Sequence, residues 1–91
     1  MSTAETSPSM RRIGVRLFAA ARERAGHDIV EITIPKDATI HEARRCLGNE
    51  VPALADQAPT LLFAIGTEYA HNNDVIPDDC ELAAFPPVSG G

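Results

Sequence analysis

Residues 13–34, IGVRLFAAARERAGHDIVEITI, contain the first three elements of the predicted fold. Every second residue over 13–17 is apolar, which is the spacing of a strand with one buried face. Residues 19–25 are rich in alanine, arginine and glutamate and predict a helix, which Gly26 ends. Apolar residues alternate again over 30–34 and predict a second strand. The domain therefore begins strand, helix, strand.

The main helix is predicted after Pro35, which ends the second strand. Thr39 and Glu42 have the spacing of a capping box, in which each side chain binds the other residue's backbone N–H. Five apolar residues would then share one side of the helix: Ile40, Ala43, Leu47, Val51 and Leu54. We expect Gly48 and Pro52 to divide this stretch into a helix and a shorter turn.

Three further strands are predicted at residues 61–65, 68–70 and 81–85, the second of them short. The order β-α-β-α-β-β, with one main helix packed on one face of a small mixed sheet, indicates an α+β fold of the β-grasp (ubiquitin-like) class. A chain of 91 residues is one domain. We expect a disordered leader over residues 1–10, with Met1 or Met10 as the start, and the domain over 11–91.

Two aromatic residues are predicted on the face of the sheet that the helix leaves uncovered. If the apolar residues of the first strand point at the helix, Phe18 points away from it, and the same alternation turns Phe85 outward in the last strand. Exposed aromatic side chains that cluster indicate an interface. The alternative is that the rings fold over the strand ends into a second core.

The charges are unevenly distributed along the chain. All eight basic residues lie in residues 1–45, together with six acidic ones, whereas residues 46–91 hold seven acidic residues and no Lys or Arg. The net charge is −5. An acidic domain of this kind is unsuited to nucleic acid or anionic membranes and favours a basic protein partner. No apolar run approaches the roughly 18 residues of a membrane span.

No side-chain motif for catalysis or metal binding is present. Cys46 and Cys80 form no C-x-x-C pair and predict reduced, partly buried thiols in a cytoplasmic protein. His27, His41 and His71 have no metal-ligand spacing with each other or with the cysteines, so we expect them on the surface. The sequence therefore predicts no metal and no bound cofactor.

The chain ends Phe85-Pro86-Pro87-Val88-Ser89-Gly90-Gly91. Two glycines have no Cβ atoms and can pass through a channel too narrow for side chains, while the two prolines stiffen the segment before them. The chemical group that such a tail presents is its own α-carboxylate, delivered into another protein's active site.

Three parts of the sequence resemble the small, sulfur-carrier subunits of molybdopterin synthases. They are Val15-Arg16-Leu17-Phe18-Ala19 followed by Arg22-Glu23, the strand over 61–65, and above all the FPPVSGG ending. The resemblance covers roughly residues 12–91. The strand and helix patterns occur in any β-grasp carrier, whereas the stalk before Gly-Gly is absent from the thiazole-pathway carrier.

The resemblance implies a cycle of sulfur transfer. An E1-like adenylating enzyme would join the Gly91 carboxylate to AMP, and a persulfide donor would convert it to a thiocarboxylate. The tail (Pro86, Pro87, Val88, Ser89 and Gly90) would then enter the large synthase subunit and donate sulfur to cyclic pyranopterin monophosphate. Two small and two large subunits would form a heterotetramer. The catalytic side chains would belong to the large subunit.

The same resemblance implies that Phe18, Tyr69 and Phe85 contact the partner, and two of these are the residues that alternation turns outward. The sequence departs from the family at Gly66, where Asn is usual; since both residues tolerate positive φ, we expect the turn to be retained. Three alternatives stay open: a carrier for thiazole, cysteine or tRNA thiolation, a ubiquitin-like modifier of lysines, and an interaction domain whose Gly-Gly is incidental.

Overall fold

The computed structural model describes residues 9–87. Its elements, in chain order, are β1 (Met10–Leu17), α1 (Ala19–Ala25), β2 (Ile29–Pro35), α2 (Ile40–Glu50), β3 (Leu62–Ile65), β4 (Glu68–Ala70) and β5 (Leu82–Phe85). Two 3₁₀ turns, Pro52–Leu54 and Ala58–Thr60, connect α2 to β3. The described strands form one sheet in the order β2-β1-β5-β3-β4, in which the β1–β5 pair is parallel and the other three pairs are antiparallel. The predicted β-grasp fold is confirmed.

The core lies between the sheet and α2. Ile13, Val15 and Leu17 of β1 are buried, as alternation predicts, and they pack with the apolar residues of the neighbouring elements. The other large buried side chains of this core are Ile32, Ile34, Ile40, Leu47, Leu54, Leu61, Phe63, Ile76 and Leu82. One face of the sheet is therefore filled by a single apolar cluster, and no helix among residues 9–87 covers the opposite face.

Two predicted helix boundaries, the start of α2 and the end of α1, are confirmed. The Thr39 hydroxyl accepts a hydrogen bond from the Glu42 N–H at 3.3 Å, and the Glu42 carboxylate accepts one from the Thr39 N–H at 3.0 Å. Gly26 ends α1 in the left-handed conformation, with φ of 79°, and its N–H donates to the Arg22 carbonyl. These contacts satisfy backbone groups that a helix end leaves without partners.

Two boundary predictions are only partly right. The predicted division into a helix and a shorter turn is present at Pro52, but Gly48 does not contribute to it, because α2 continues to Glu50. A Cβ atom at Gly48 would lie 3.4 Å from the Cβ of Ala58, so the glycine allows close packing against the second turn. The predicted leader also extends too far: Met10 already belongs to β1, and the Ser9 carbonyl accepts a hydrogen bond from the Lys36 N–H. The rest of the leader lies outside the described residues.

Arg44 of α2 connects the helix to the segments that follow it. Its guanidinium donates to the carbonyls of Leu61 at 2.6 Å and Ala58 at 2.9 Å, and to the side-chain oxygen of Asn72 at 3.0 Å. The same group lies 4.9 Å from the centre of the Phe63 ring. Burial lowers the pKa of Arg44 from its ordinary value, because desolvation disfavours the charged form. The side chain stabilises the connection between α2 and β3.

We predict that Arg44→Ala lowers the free energy of unfolding by about 2–4 kcal/mol, because several carbonyls lose a charged donor at once. The matched control is Arg45→Ala, which removes the same side chain from an exposed neighbouring position and should change stability by about 0.5 kcal/mol or less. Urea unfolding of both variants measures the difference. Equal losses for the two variants would show that Arg44 has no special structural role.

Candidate functional site

The uncovered face of the sheet bears three aromatic side chains, from β4, from β5 and from the residue that follows β1. Phe18 is 44% exposed and Tyr69 is 67% exposed, while Phe85 is half-buried between them. The neighbours Leu17 and Ala84 are buried in the core. The outward orientation that alternation predicts for Phe18 and Phe85 is therefore confirmed.

The three rings are in contact and form what we call the aromatic cluster: Phe18, Tyr69 and Phe85. The ring centres of Phe18 and Phe85 are 6.3 Å apart and nearly perpendicular, at 85°. Those of Tyr69 and Phe85 are 5.6 Å apart, at 54°. The first pair is edge-to-face, a geometry that contributes roughly 0.5–1.5 kcal/mol beyond the burial of its area, and the second is tilted. Phe85 is consequently held from two sides.

Small residues form the floor beneath the rings. Ala64 of β3 is paired with Ala83 of β5 on one side and with Tyr69 of β4 on the other. An open depression of about 480 Å³ lies above them, lined also by Gly66, Thr67 and the three rings. Alanine at two adjacent positions leaves room for an apolar group to enter between the aromatic side chains. Sequence reasoning missed Ala64 and Ala83, although their alternation with the buried Phe63 and Ala84 was the available signal.

The turn between β3 and β4 places Tyr69 in this cluster. Ile65 pairs with Glu68, so Gly66 and Thr67 form a two-residue hairpin turn. Gly66 has φ of 63°, and a Cβ atom there would meet nothing within 4 Å. Glycine adopts this conformation without steric cost, so the turn predicted despite the departure from Asn is present.

Phe85 is the last residue of β5 and leads directly into the tail. Pro86 is half-buried and Pro87 is exposed. The other predicted tail residues, Val88, Ser89, Gly90 and Gly91, lie outside the described residues. The structure thus places the start of the tail beside the aromatic cluster.

The uneven charge of the sequence is partly balanced in space. Arg16 of β1 approaches Glu81 at 3.4 Å, and Arg11 approaches Asp78 at 3.9 Å, so basic residues of the first half lie beside acidic residues of the second. The parallel β1–β5 pairing brings these segments together. Exposed ion pairs contribute about 0–1 kcal/mol, so they alter the surface potential more than the stability. The acidic charge of the second half is therefore partly balanced by basic residues of the first half.

The cysteines and histidines considered as reactive or metal-binding residues lie apart from one another. Cys46 and Cys80 are free, half-buried thiols packed against the core, as predicted. Burial raises the pKa of both, so they are less reactive than an exposed thiol. His27, His41 and His71 are exposed, as predicted.

Within residues 9–87 no three His, Cys, Asp or Glu side chains are grouped as a metal would require. Nor does any helix of that part of the chain have the length and apolarity to span a membrane.

Comparison with known proteins agrees with this architecture. A molybdopterin synthase sulfur carrier subunit of Arabidopsis thaliana is 32% identical over 79 residues, which are 87% of this chain and 82% of the relative. The crystal structure of SAMP1, small archaeal modifier protein 1, from Haloferax volcanii has a TM-score of 0.74 and 31% identity and covers 89% of this chain and 100% of its own.

A third similarity concerns the fold alone. It is to a chain in the complex of subunits 1 and 2 of the molybdopterin-converting factor from Helicobacter pylori, with a TM-score of 0.60, 22% identity, and coverage of 89% of this chain and 100% of that one. Residues 15–91 match the ThiS family along most of the domain, from β1 through the Gly-Gly pair. The chain therefore belongs to the ThiS family and is similar to molybdopterin synthase sulfur carrier subunits.

Proposed function

We propose that this protein is the sulfur-carrying small subunit of a molybdopterin synthase, with Gly91 as the site that carries sulfur. The observation that supports this most directly is the position of the aromatic cluster at the end of β5, where the chain continues into Pro86-Pro87 and the Gly-Gly ending. An apolar docking surface beside the start of a narrow tail suits a protein that delivers its terminus to a partner. The similarity to named sulfur carrier subunits supports the same assignment.

The proposed chemistry takes place at the Gly91 carboxylate. A carboxylate is a poor electrophile, so the adenylating enzyme would use ATP to convert it to an acyl adenylate, in which AMP is a good leaving group. The terminal sulfur of a persulfide donor would displace AMP and form an acyl disulfide with Gly91. A second thiol of the donor would then cleave the S–S bond, leaving a thiocarboxylate on Gly91 and a disulfide on the donor. The thiocarboxylate sulfur is the nucleophile that would attack cyclic pyranopterin monophosphate. Because the product has two dithiolene sulfurs, each turnover would consume two charged carriers.

The proposed partners follow from this cycle. The large synthase subunit would hold the catalytic side chains and the pterin, as two small and two large subunits in a heterotetramer. The E1-like adenylating enzyme would bind the same tail at another stage. The subunit complex known for the Helicobacter pylori protein of the same fold supports a large-subunit partner. We place the protein in the cytoplasm, where its two thiols would remain reduced.

A second candidate function is supported by the similarity to SAMP1, named as an archaeal modifier protein. In that case the Gly91 carboxylate would be joined to lysine amines of target proteins. A denaturing blot of cell extract for isopeptide-linked adducts distinguishes the two: a carrier should give none or few, and a modifier a ladder that disappears without Gly91. A carrier for thiazole, cysteine or tRNA thiolation would instead restore growth in a strain that lacks that pathway's own carrier.

We predict that deletion of Gly91, or Gly90→Val, abolishes molybdopterin formation in a carrier-deficient strain and leaves the fold intact. Deletion shortens the tail by one residue, so the terminal carboxylate no longer reaches the reacting position. Valine adds a branched side chain where the tail must be narrow. Ser89→Ala is the control, because it keeps the tail thin and should support synthesis. Intact-mass analysis of the wild-type protein should show sulfur in place of one oxygen at Gly91. Cofactor synthesis by the deletion variant would exclude the carrier role.

We predict that Phe85→Ala weakens binding to the large subunit by about 2–4 kcal/mol, because a central aromatic contact is lost. The free energy of unfolding should fall by about 1–3 kcal/mol, less than for a core ring, since Phe85 is half-buried and packs outside the core. The matched control is Phe63→Ala, which removes a ring that is 1% exposed and should cost about 3–5 kcal/mol of stability. Large destabilisation by Phe85→Ala, with unchanged affinity per folded molecule, would contradict the assignment.

We predict that raising the ionic strength slows association with the large subunit and has little effect on dissociation, because salt screens long-range attraction between this acidic protein and a basic partner. Glu68→Gln, beside Tyr69 on β4, should reduce the salt dependence of the association rate. Asp56→Asn makes the same charge change between the two 3₁₀ turns on the helical side and should leave it unaltered. Stopped-flow association rates that do not vary with salt would rule out electrostatic steering.

A further inference from the structure

Ala19 has an unusual backbone conformation. Its φ is 54°, and among residues 9–87 it is the one residue other than glycine with positive φ. In this left-handed region the Cβ atom of an L-residue crowds the following carbonyl, so alanine is strained there while glycine and asparagine are tolerated. Strain of this kind persists only where the surrounding structure holds it, and it concentrates at functional sites.

The residue lies between two hydrogen-bonded structures with different directions. Phe18 before it is extended, with φ of −132° and ψ of 153°, and its N–H donates to the Ala84 carbonyl of β5 at 3.2 Å. The Phe18 carbonyl accepts from the Ala21 and Arg22 N–H groups of α1, at 3.2 and 3.4 Å. The change in chain direction from strand to helix therefore takes place at Ala19. These hydrogen bonds fix both the N–H and the carbonyl of Phe18, and they offset the strain at Ala19.

We infer that Ala19 is a positioning residue whose left-handed conformation holds Phe18 edge-on against Phe85, at the base of the tail. A right-handed conformation at this position would turn the chain differently after β1, so Phe18 could not keep its contacts with both β5 and α1. The Phe18 ring would then leave the 6.3 Å contact with Phe85. Phe85 would then contact Tyr69 but no longer Phe18, and the depression between the rings would lose Phe18 from its lining.

This inference rests on the proposed docking role of the aromatic cluster, but the orientation of Phe18 can be tested without any partner. Two substitutions at the exposed Ala19 separate conformation from size. Ala19→Asn adds a side chain that accepts positive φ, and Ala19→Val adds one of similar size whose β-branch opposes it. Ala19→Gly accepts the conformation with no side chain at all.

The first measurement is the set of nuclear Overhauser contacts between the ring protons of Phe18 and Phe85, recorded where each variant is fully folded. We expect these contacts in the wild type, Ala19→Gly and Ala19→Asn, and their loss in Ala19→Val. If Ala19→Val does not fold, Ala19→Leu replaces it, with the same criterion, because its branch lies one atom further from the backbone. Retained ring contacts in the folded valine or leucine variant would overturn the inference.

The second measurement is affinity for the large synthase subunit per folded molecule. The glycine and asparagine variants should bind within about twofold of the wild type, and the valine variant on the order of tenfold more weakly. A purely structural residue would lower the melting temperature without changing this affinity, and that result would also overturn the inference. If the ring contacts change as expected but the wild type binds no large subunit, the proposed function fails while the positioning role of Ala19 stands.

Discussion

The pairing of β5 with strands on both sides is the constraint on which the rest of the structure depends. β5 is the last strand in the described chain, yet it lies at the centre of the sheet, parallel to β1 and antiparallel to β3. A central strand has its backbone hydrogen bonds satisfied on both edges and cannot fray as an edge strand does. The tail that follows Phe85 therefore starts from a strand that is held on both edges. A fixed base of this kind suits the proposed delivery of the terminus to a partner.

The same pairing determines what the two faces of the sheet can do. Because β-strand side chains alternate, Leu82 and Ala84 enter the core while Ala83 and Phe85 face outward. On the helix side the face is filled, and Arg44 fixes α2 to the segment that leads into β3 and to Asn72. Stability is thus concentrated on one face and the proposed docking contacts on the other. Substitutions in the two regions should have separable effects on folding and on binding.

Local rules predicted much of this arrangement from the sequence. Period-two alternation identified the outward orientation of Phe18 and Phe85, and the Thr39–Glu42 spacing identified the start of α2, because both depend on neighbouring residues alone. The Gly48 prediction failed since the low helix propensity of glycine was outweighed by its packing against Ala58. The charge count along the chain likewise did not show that Arg16 lies beside Glu81, because this pairing depends on strand order.

Two features of the structure could not be predicted from neighbouring residues alone. They are the left-handed conformation of Ala19 and the hydrogen bonds of Arg44. Alanine is a strong helix former and gives no signal of positive φ, and an arginine on a helix gives no signal of the distant acceptors that it will reach. Both arise where the tertiary structure brings distant segments together, Ala84 beside Phe18 in one case and Leu61 beside Arg44 in the other. The Arg44 contacts hold the helix on the core, whereas the strained turn at Ala19 borders the surface proposed for binding. Backbone strain concentrates at functional sites, and the strained residue here, Ala19, directly follows Phe18 of the aromatic cluster.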